Sequence, residues 1–139
     1  CLGRPWLFAD LVESFNGGQK KVLPSLHQVS EVMYRHGELI VDYFESEDRG
    51  CRDLRKHMAW YLKGFRVHSE LRRQFGMVGS LNELRSLLSQ LDDQPYPVDV
   101  AEKPRGRTSS GRPPTLPDGW LNDPDEMIHL DAEDMFSGG

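Results

Sequence analysis

Eight basic side chains and only two acidic ones fall between residues 49 and 73. At about 100° per residue on a helical wheel, Arg49, Arg52, Arg55, Lys56, Lys63 and Arg66 share one arc of about 120°. Leu54, Met58, Tyr61, Leu62 and Phe65 form the apolar stripe beside it. Asp53 is the one nearby offset, and Arg72 and Arg73 follow in the next segment. Solvated helix faces normally mix both signs, because like charges three or four residues apart repel by a few tenths of a kcal/mol. A one-sign stripe on a chain of net charge −5 points to a polyanionic partner. Arginine forks suit phosphate oxygens, and lysines add point charges. Trp60 borders the arc, where an indole stacks on an unpaired base or packs on a neighbouring helix.

The other reactive residue types form no recognisable constellation. His27, His36, His68 and His129 have no metal-ligand spacing, and no metal is expected. His57 borders the apolar stripe as a core or capping residue. Cys1 and Cys51 form no CxxC pair, so they are read as structural or incidental thiols. There is no P-loop, nucleophile elbow, dinucleotide-binding glycine pattern or catalytic carboxylate pair. No self-contained active site is expected, so no residue is assigned as catalytic or cofactor-binding.

These side chains must be carried by helices. Leu7, Phe8, Leu11, Val12 and Phe15 recur at helical spacing until Gly17-Gly18 stops them. Ser25 with Gln28 predicts a capping box, and the stripe from Val29 to Phe44 predicts a helix ending near Ser46. The basic helix is predicted from about Arg49 to Phe65 with Asp48 as N-cap, and a short helix over Ser69 to Phe75. A last helix opens at a Ser80–Glu83 capping box and carries Leu81, Leu84, Leu87, Leu88 and Leu91. No segment alternates with period two. The fold class is all-α, a small bundle of about five helices.

Length and charge complete the organisation. The chain has 139 residues, 37% hydrophobic and 28% charged, enough for one domain with an appendage. Residues 1–91 hold 13 Lys+Arg against 11 Asp+Glu, whereas 92–139 hold 4 against 11, with seven of the nine prolines. Such composition cannot bury enough surface to offset ordering entropy, which predicts an acidic disordered tail over 92–139. Its short apolar islands, Leu116–Leu121 and Met127–Leu130, look like docking motifs, but random tails carry such islands too, and the random reading is favoured. No run approaches the roughly 18 apolar residues of a membrane span, so a soluble chain is expected. Two cysteines are too few for a disulfide framework, which makes a reducing cytoplasm the default, and a monomer is expected. The opening is abrupt: Leu2-Gly-Arg-Pro-Trp-Leu-Phe8 runs straight into an apolar helix, predicting that its packing partner lies upstream of residue 1.

Two motifs carry a family resemblance. Gly50-Cys-Arg-Asp-Leu-Arg-Lys-His-Met-Ala-Trp-Tyr-Leu62, followed by Leu71-Arg-Arg-Gln-Phe75, resembles the C-terminal helical domain of bacterial tRNA-dihydrouridine synthases, closest to the B-type subgroup. That subgroup's Arg-x-x-Arg-Lys-His-x-x-Trp-Tyr pattern maps to Arg52, Arg55, Lys56, His57, Trp60 and Tyr61. Cys1-Leu-Gly-Arg-Pro-Trp-Leu-Phe8 is similar to the stretch just after the family's flavin-phosphate turn. The resemblance covers about residues 1–91 and implies a C-terminal fragment. Residues 1–18 would be the end of a TIM barrel missing from this chain and packing on the first helix, 19–91 a tRNA-binding helical domain, and 92–139 the tail.

The resemblance implies that the parent enzyme reduces uridine to dihydrouridine in tRNA using FMN and NADPH. Neither cysteine matches its catalytic motif, so the fragment alone is expected to be inactive and to bind no flavin. The RNA-binding residues are Arg52, Arg55 and Lys56 by motif, and Lys63, Arg66, Arg72 and Arg73 by charge and position. The alternative is a helical protein–protein interaction module whose basic face meets an acidic protein.

Overall fold

Side-chain oxygens set three of the helix starts. Ser25 and Gln28 form the predicted capping box, Gln28 Oε1 accepting from the Ser25 N–H at 3.0 Å, and open the helix Leu26–Phe44. Ser46 rather than Asp48 caps the next helix, Glu47–Tyr61, its Oγ accepting from the Arg49 N–H. Asp48 lies in the first turn instead, where a carboxylate also favours the helix dipole. Ser80 Oγ accepts from the Glu83 N–H at 3.1 Å, while Glu83 turns its carboxylate to the Gly79 N–H rather than closing a full box.

The computed structural model describes residues 1–103, and those residues contain six helices and no strand. In chain order they are α1 (Leu7–Phe15), α2 (Leu26–Phe44), α3 (Glu47–Tyr61), α4 (Ser69–Phe75), α5 (Leu81–Leu88) and α6 (Val98–Ala101). None is long and apolar enough to cross a membrane. The all-α expectation holds for them, and the predicted helices are present, with one more at the end.

An α2–α3 hairpin organises the core. Glu45, in the left-handed region at φ 50°, turns the chain between the two helices. Leu26, Val29 and Met33 of α2 then meet Leu54, Met58 and Tyr61 of α3, with Phe75, Val78, Leu84 and Leu87 closing over them. The close approach depends on Gly50, where a Cβ would lie 2.7 Å from the Val41 Cα.

Two further expectations change. Helix α3 stops at Tyr61, four residues short of Phe65, because Gly64 adopts φ 90° in the turn that follows. The wheel angles of Lys63 and Arg66 therefore do not apply, and only Arg49, Arg52, Arg55 and Lys56 lie on α3. The second change concerns the tail drawn from residue 92. As far as residue 103 it packs on the helices: Gln94 O accepts from the Leu26 N–H, Asp93 Oδ1 from the His27 N–H, and Gln94 brackets the Arg66 backbone with both amide groups. Tyr96 sets its ring edgewise to Trp6 and Phe65, and Ala101 is fully buried. Averaging over 48 residues hid one aromatic anchor held between Pro95 and Pro97. The remainder of the expected tail, with both apolar islands, lies outside the described residues.

Helix α1 differs from the rest. None of its residues is buried, and Phe8, Leu11, Val12 and Phe15 are exposed, Phe15 at 89%.

Candidate nucleic-acid interface

The exposed cations of the interface are held by neighbours on their own helices. Arg52 pairs with Asp48 through two contacts of 3.1 Å, and Lys56 pairs with Asp53. Arg73 forms a two-pronged pair with Glu70 at 2.7 and 3.0 Å. Hydrogen bonds from Lys56 and Arg73 hold the Asp53 and Glu70 carboxyls below their usual range. Pairs this exposed are worth about 0–1 kcal/mol each, so they orient the cations without locking them away from a competing phosphate. Arg49 places its guanidinium 5.7 Å from the Phe44 ring centroid, and Lys63 Nζ lies 6.0 Å from that of Trp60. Arg66 is exposed in the turn beyond α3.

Two of the seven predicted RNA-binding residues point inward. Arg55 Nε donates to the Val78 carbonyl at 2.8 Å, tying α3 to the turn before α5. Arg72 donates to three carbonyls, Val67 at 3.1 Å, Leu62 at 3.0 Å and Phe65 at 2.6 Å. It thus satisfies acceptors that the end of α3 leaves orphaned, and burial pulls its guanidinium below the usual range. Both residues brace the backbone behind the basic surface rather than face outward. Arg72→Lys is expected to cost about 2 kcal/mol, since one ammonium cannot reproduce a fork over three carbonyls and part-buried acceptors are left unpaired. Urea denaturation of the two proteins measures the difference.

A polar cluster sits one step round α3 from the cations. His36 of α2 meets His57 of α3 with ring centroids 4.9 Å apart, and Tyr61 Oη lies 3.0 Å from His36 Nδ1. Burial pushes the Tyr61 phenol up to about 12. His36 is lowered from its ordinary 6.5, first by burial, then by His57, with Asp53 opposing. A histidine lowered in the folded state contributes stability above its unfolded value, and that stability is lost as pH falls through the folded value. The melting temperature is therefore expected to drop between pH 7 and pH 5, and to drop less in His36→Gln. Sequence offered two of the three members, since His57 and Tyr61 are four apart on one helix. Nothing in the spacing joined them to His36.

The cluster forms the polar floor of an open groove of about 570 Å³, whose apolar walls include Leu2, Pro5, Val32 and Leu39. The groove's N-terminal wall is fixed by Gly3, at φ 62°, where a Cβ would lie 2.4 Å from the Trp60 carbonyl carbon. Both cysteines are free, Cys1 exposed and Cys51 buried, and burial pushes the Cys51 thiol up.

Residues 1–95 match the family model described as Dihydrouridine synthase (Dus). The whole chain is 50% identical over 141 residues to a probable tRNA-dihydrouridine synthase of Mycobacterium leprae, and 48% identical to one of Mycobacterium tuberculosis H37Rv. It covers 36% of each, so the chain spans about a third of the length of these curated relatives. A tRNA-dihydrouridine synthase B of Proteus vulgaris is 31% identical over 83 residues, 58% of this chain and 25% of that protein. No solved structure matches.

Proposed function

We propose, from the premise that this chain belongs to the dihydrouridine synthase family, that it supplies the tRNA grip of an enzyme reducing uridine to dihydrouridine. The observation that carries this reading is the set of exposed cations on and just beyond α3, Arg52, Lys56, Arg66 and Arg73, with Lys63 half-buried among them. They would contact phosphates, setting affinity and orientation rather than sequence choice. Arg55 and Arg72 hold the surface in place from behind. Residues 19–91 form the RNA-binding unit in this proposal, extended by the packed segment to residue 103.

The reaction chemistry is assigned elsewhere in the whole protein. FMN and NADPH are the cofactors proposed there, but the described residues do not fit a flavin. Gly3 is closed against the Trp60–Tyr61 backbone, and Arg4 donates to the Ala101 carbonyl at 3.3 Å. No step through the flavin is therefore derived from these residues, and no catalytic group is assigned to them. The exposed apolar face of α1, formed by Phe8, Leu11, Val12 and Phe15, is proposed to pack on the barrel that carries the chemistry. A cytoplasmic setting follows from the tRNA substrate.

Binding of the 139-residue chain to tRNA and to heparin, followed across a salt series, tests the proposal. tRNA is expected to bind more tightly at matched charge, with log affinity falling linearly in log salt. Equal affinity for both polymers would return the basic face to a generic anion patch or a protein-interaction surface.

A further inference from the structure

The groove between the N-terminal turn and the α2–α3 pair offers a phosphate only one arginine, Arg35, and that one is already paired. Glu31 and Arg35 both line the groove, and Arg35 is held at 3.1 Å by Glu38, which lies outside the lining. The groove's walls are apolar, and its volume falls within the roughly 300–1,000 Å³ of small-ligand pockets. The polar floor is preorganised, because Tyr61 holds His36 Nδ1 and His36 in turn meets the His57 ring at an interplanar angle of 64°. The His57 imidazole brings two ring nitrogens able to hydrogen-bond. Apolar walls with such a floor suit an uncharged flat heterocycle.

The groove also adjoins the cations. Lys56 and His57 are consecutive on α3, about 100° apart round the helix, with Trp60 and Asp53 between their directions. Lys56 is exposed and His57 lines the groove, so neighbouring positions of α3 carry a cation and a groove contact side by side. We infer that this groove takes one unpaired base of the bound RNA, its face on Leu39 and Val32 and its polar edge on His57. The inference rests on the RNA-binding proposal above and adds a base-accepting subsite that the phosphate grip does not contain. The division of labour is physical: phosphates are drawn to α3's exposed cations, and the neutral base enters a groove lined by Glu31, whose one arginine, Arg35, is already paired with Glu38.

The test uses the 139-residue chain with two RNA probes, a tRNA transcript and a fully paired duplex of similar phosphate number. Wild type is expected to prefer tRNA. His57→Ala should weaken tRNA binding about tenfold, the order of one lost base contact, while leaving duplex affinity and the salt slope unchanged. Leu39→Gln alters the exposed wall of the groove, keeps the charge, and is expected to act the same way; it serves if His57→Ala melts early. A folded variant that binds tRNA as wild type does would overturn the subsite and leave the phosphate grip standing. That is also the result expected if a protein segment fills the groove. Equal wild-type affinity for duplex and tRNA overturns the subsite too. Failure of wild type to bind either RNA sinks both proposals.

Discussion

Gly50→Ala is expected to destabilise the protein by about 2–3 kcal/mol, although alanine is the better helix former by about 1 kcal/mol. The reason is what the methyl group meets. Its Cβ would lie 2.7 Å from the Val41 Cα and 2.9 Å from the Val41 nitrogen, and both are backbone atoms of a long helix. Relief requires α2 and α3 to separate, which loosens the packing of Met33 and Leu54 between them. Overpacking of a dense core typically costs 1–3 kcal/mol, and here no flexible side chain can yield, so the cost exceeds the propensity gain. Gly37→Ala provides the contrast. Its Cβ would approach the side-chain tips of Leu81, Leu54 and Leu84 at 3.0–3.1 Å, and these can shift. A melting temperature lowered by about 10 °C or more in Gly50→Ala, with a much smaller change in Gly37→Ala, is the expected pair of results. Equal shifts would mean that the helix crossing is not set by Gly50.

The same contrast explains which parts of this fold were legible in sequence. Periodicity identified the faces of α2, α3 and α5 because apolar spacing directly records which side of a helix meets the core. It could not identify which glycine lies at the crossing, since that depends on the partner's backbone. Gln28 announced a cap because its partner is three residues away. Arg72, by contrast, looks like every other basic residue, and its three carbonyl partners are set by the turn after α3. Charge type reports valence, not the direction of the hydrogen bonds. Tyr96 was overlooked for a related reason: its neighbours Trp6 and Phe65 lie far along the chain, and proline-rich composition outweighed one aromatic. The two family motifs were legible because each is a dense local run. His36 belongs to neither, so one of the three residues of the groove's polar floor stayed hidden.

Replacing both Arg52 and Lys56 with glutamate is expected to lower tRNA affinity about a hundredfold at low salt and to reduce the slope of log affinity against log salt by about 2. Both side chains are exposed on α3 and bond only to carboxylates on their own helix, Asp48 and Asp53. Exchanging such a pair for a phosphate forfeits no more than about 1 kcal/mol, which counterion release from the RNA outweighs. In the double variant the original acids are left beside two new ones, so the face repels phosphate instead of attracting it. Arg55→Ala separates this electrostatic effect from a structural one. It removes one positive charge of the same motif, but that guanidinium is bonded at 2.8 Å to the Val78 carbonyl behind the surface. Arg55→Ala should therefore lower the melting temperature and, at temperatures where it stays folded, leave the salt slope within error of wild type. If the double reversal leaves the slope unchanged, the phosphates do not lie on this face of α3. If Arg55→Ala reduces the slope as the reversal does, its guanidinium leaves Val78 when RNA binds, and the motif's basic residues act as one surface.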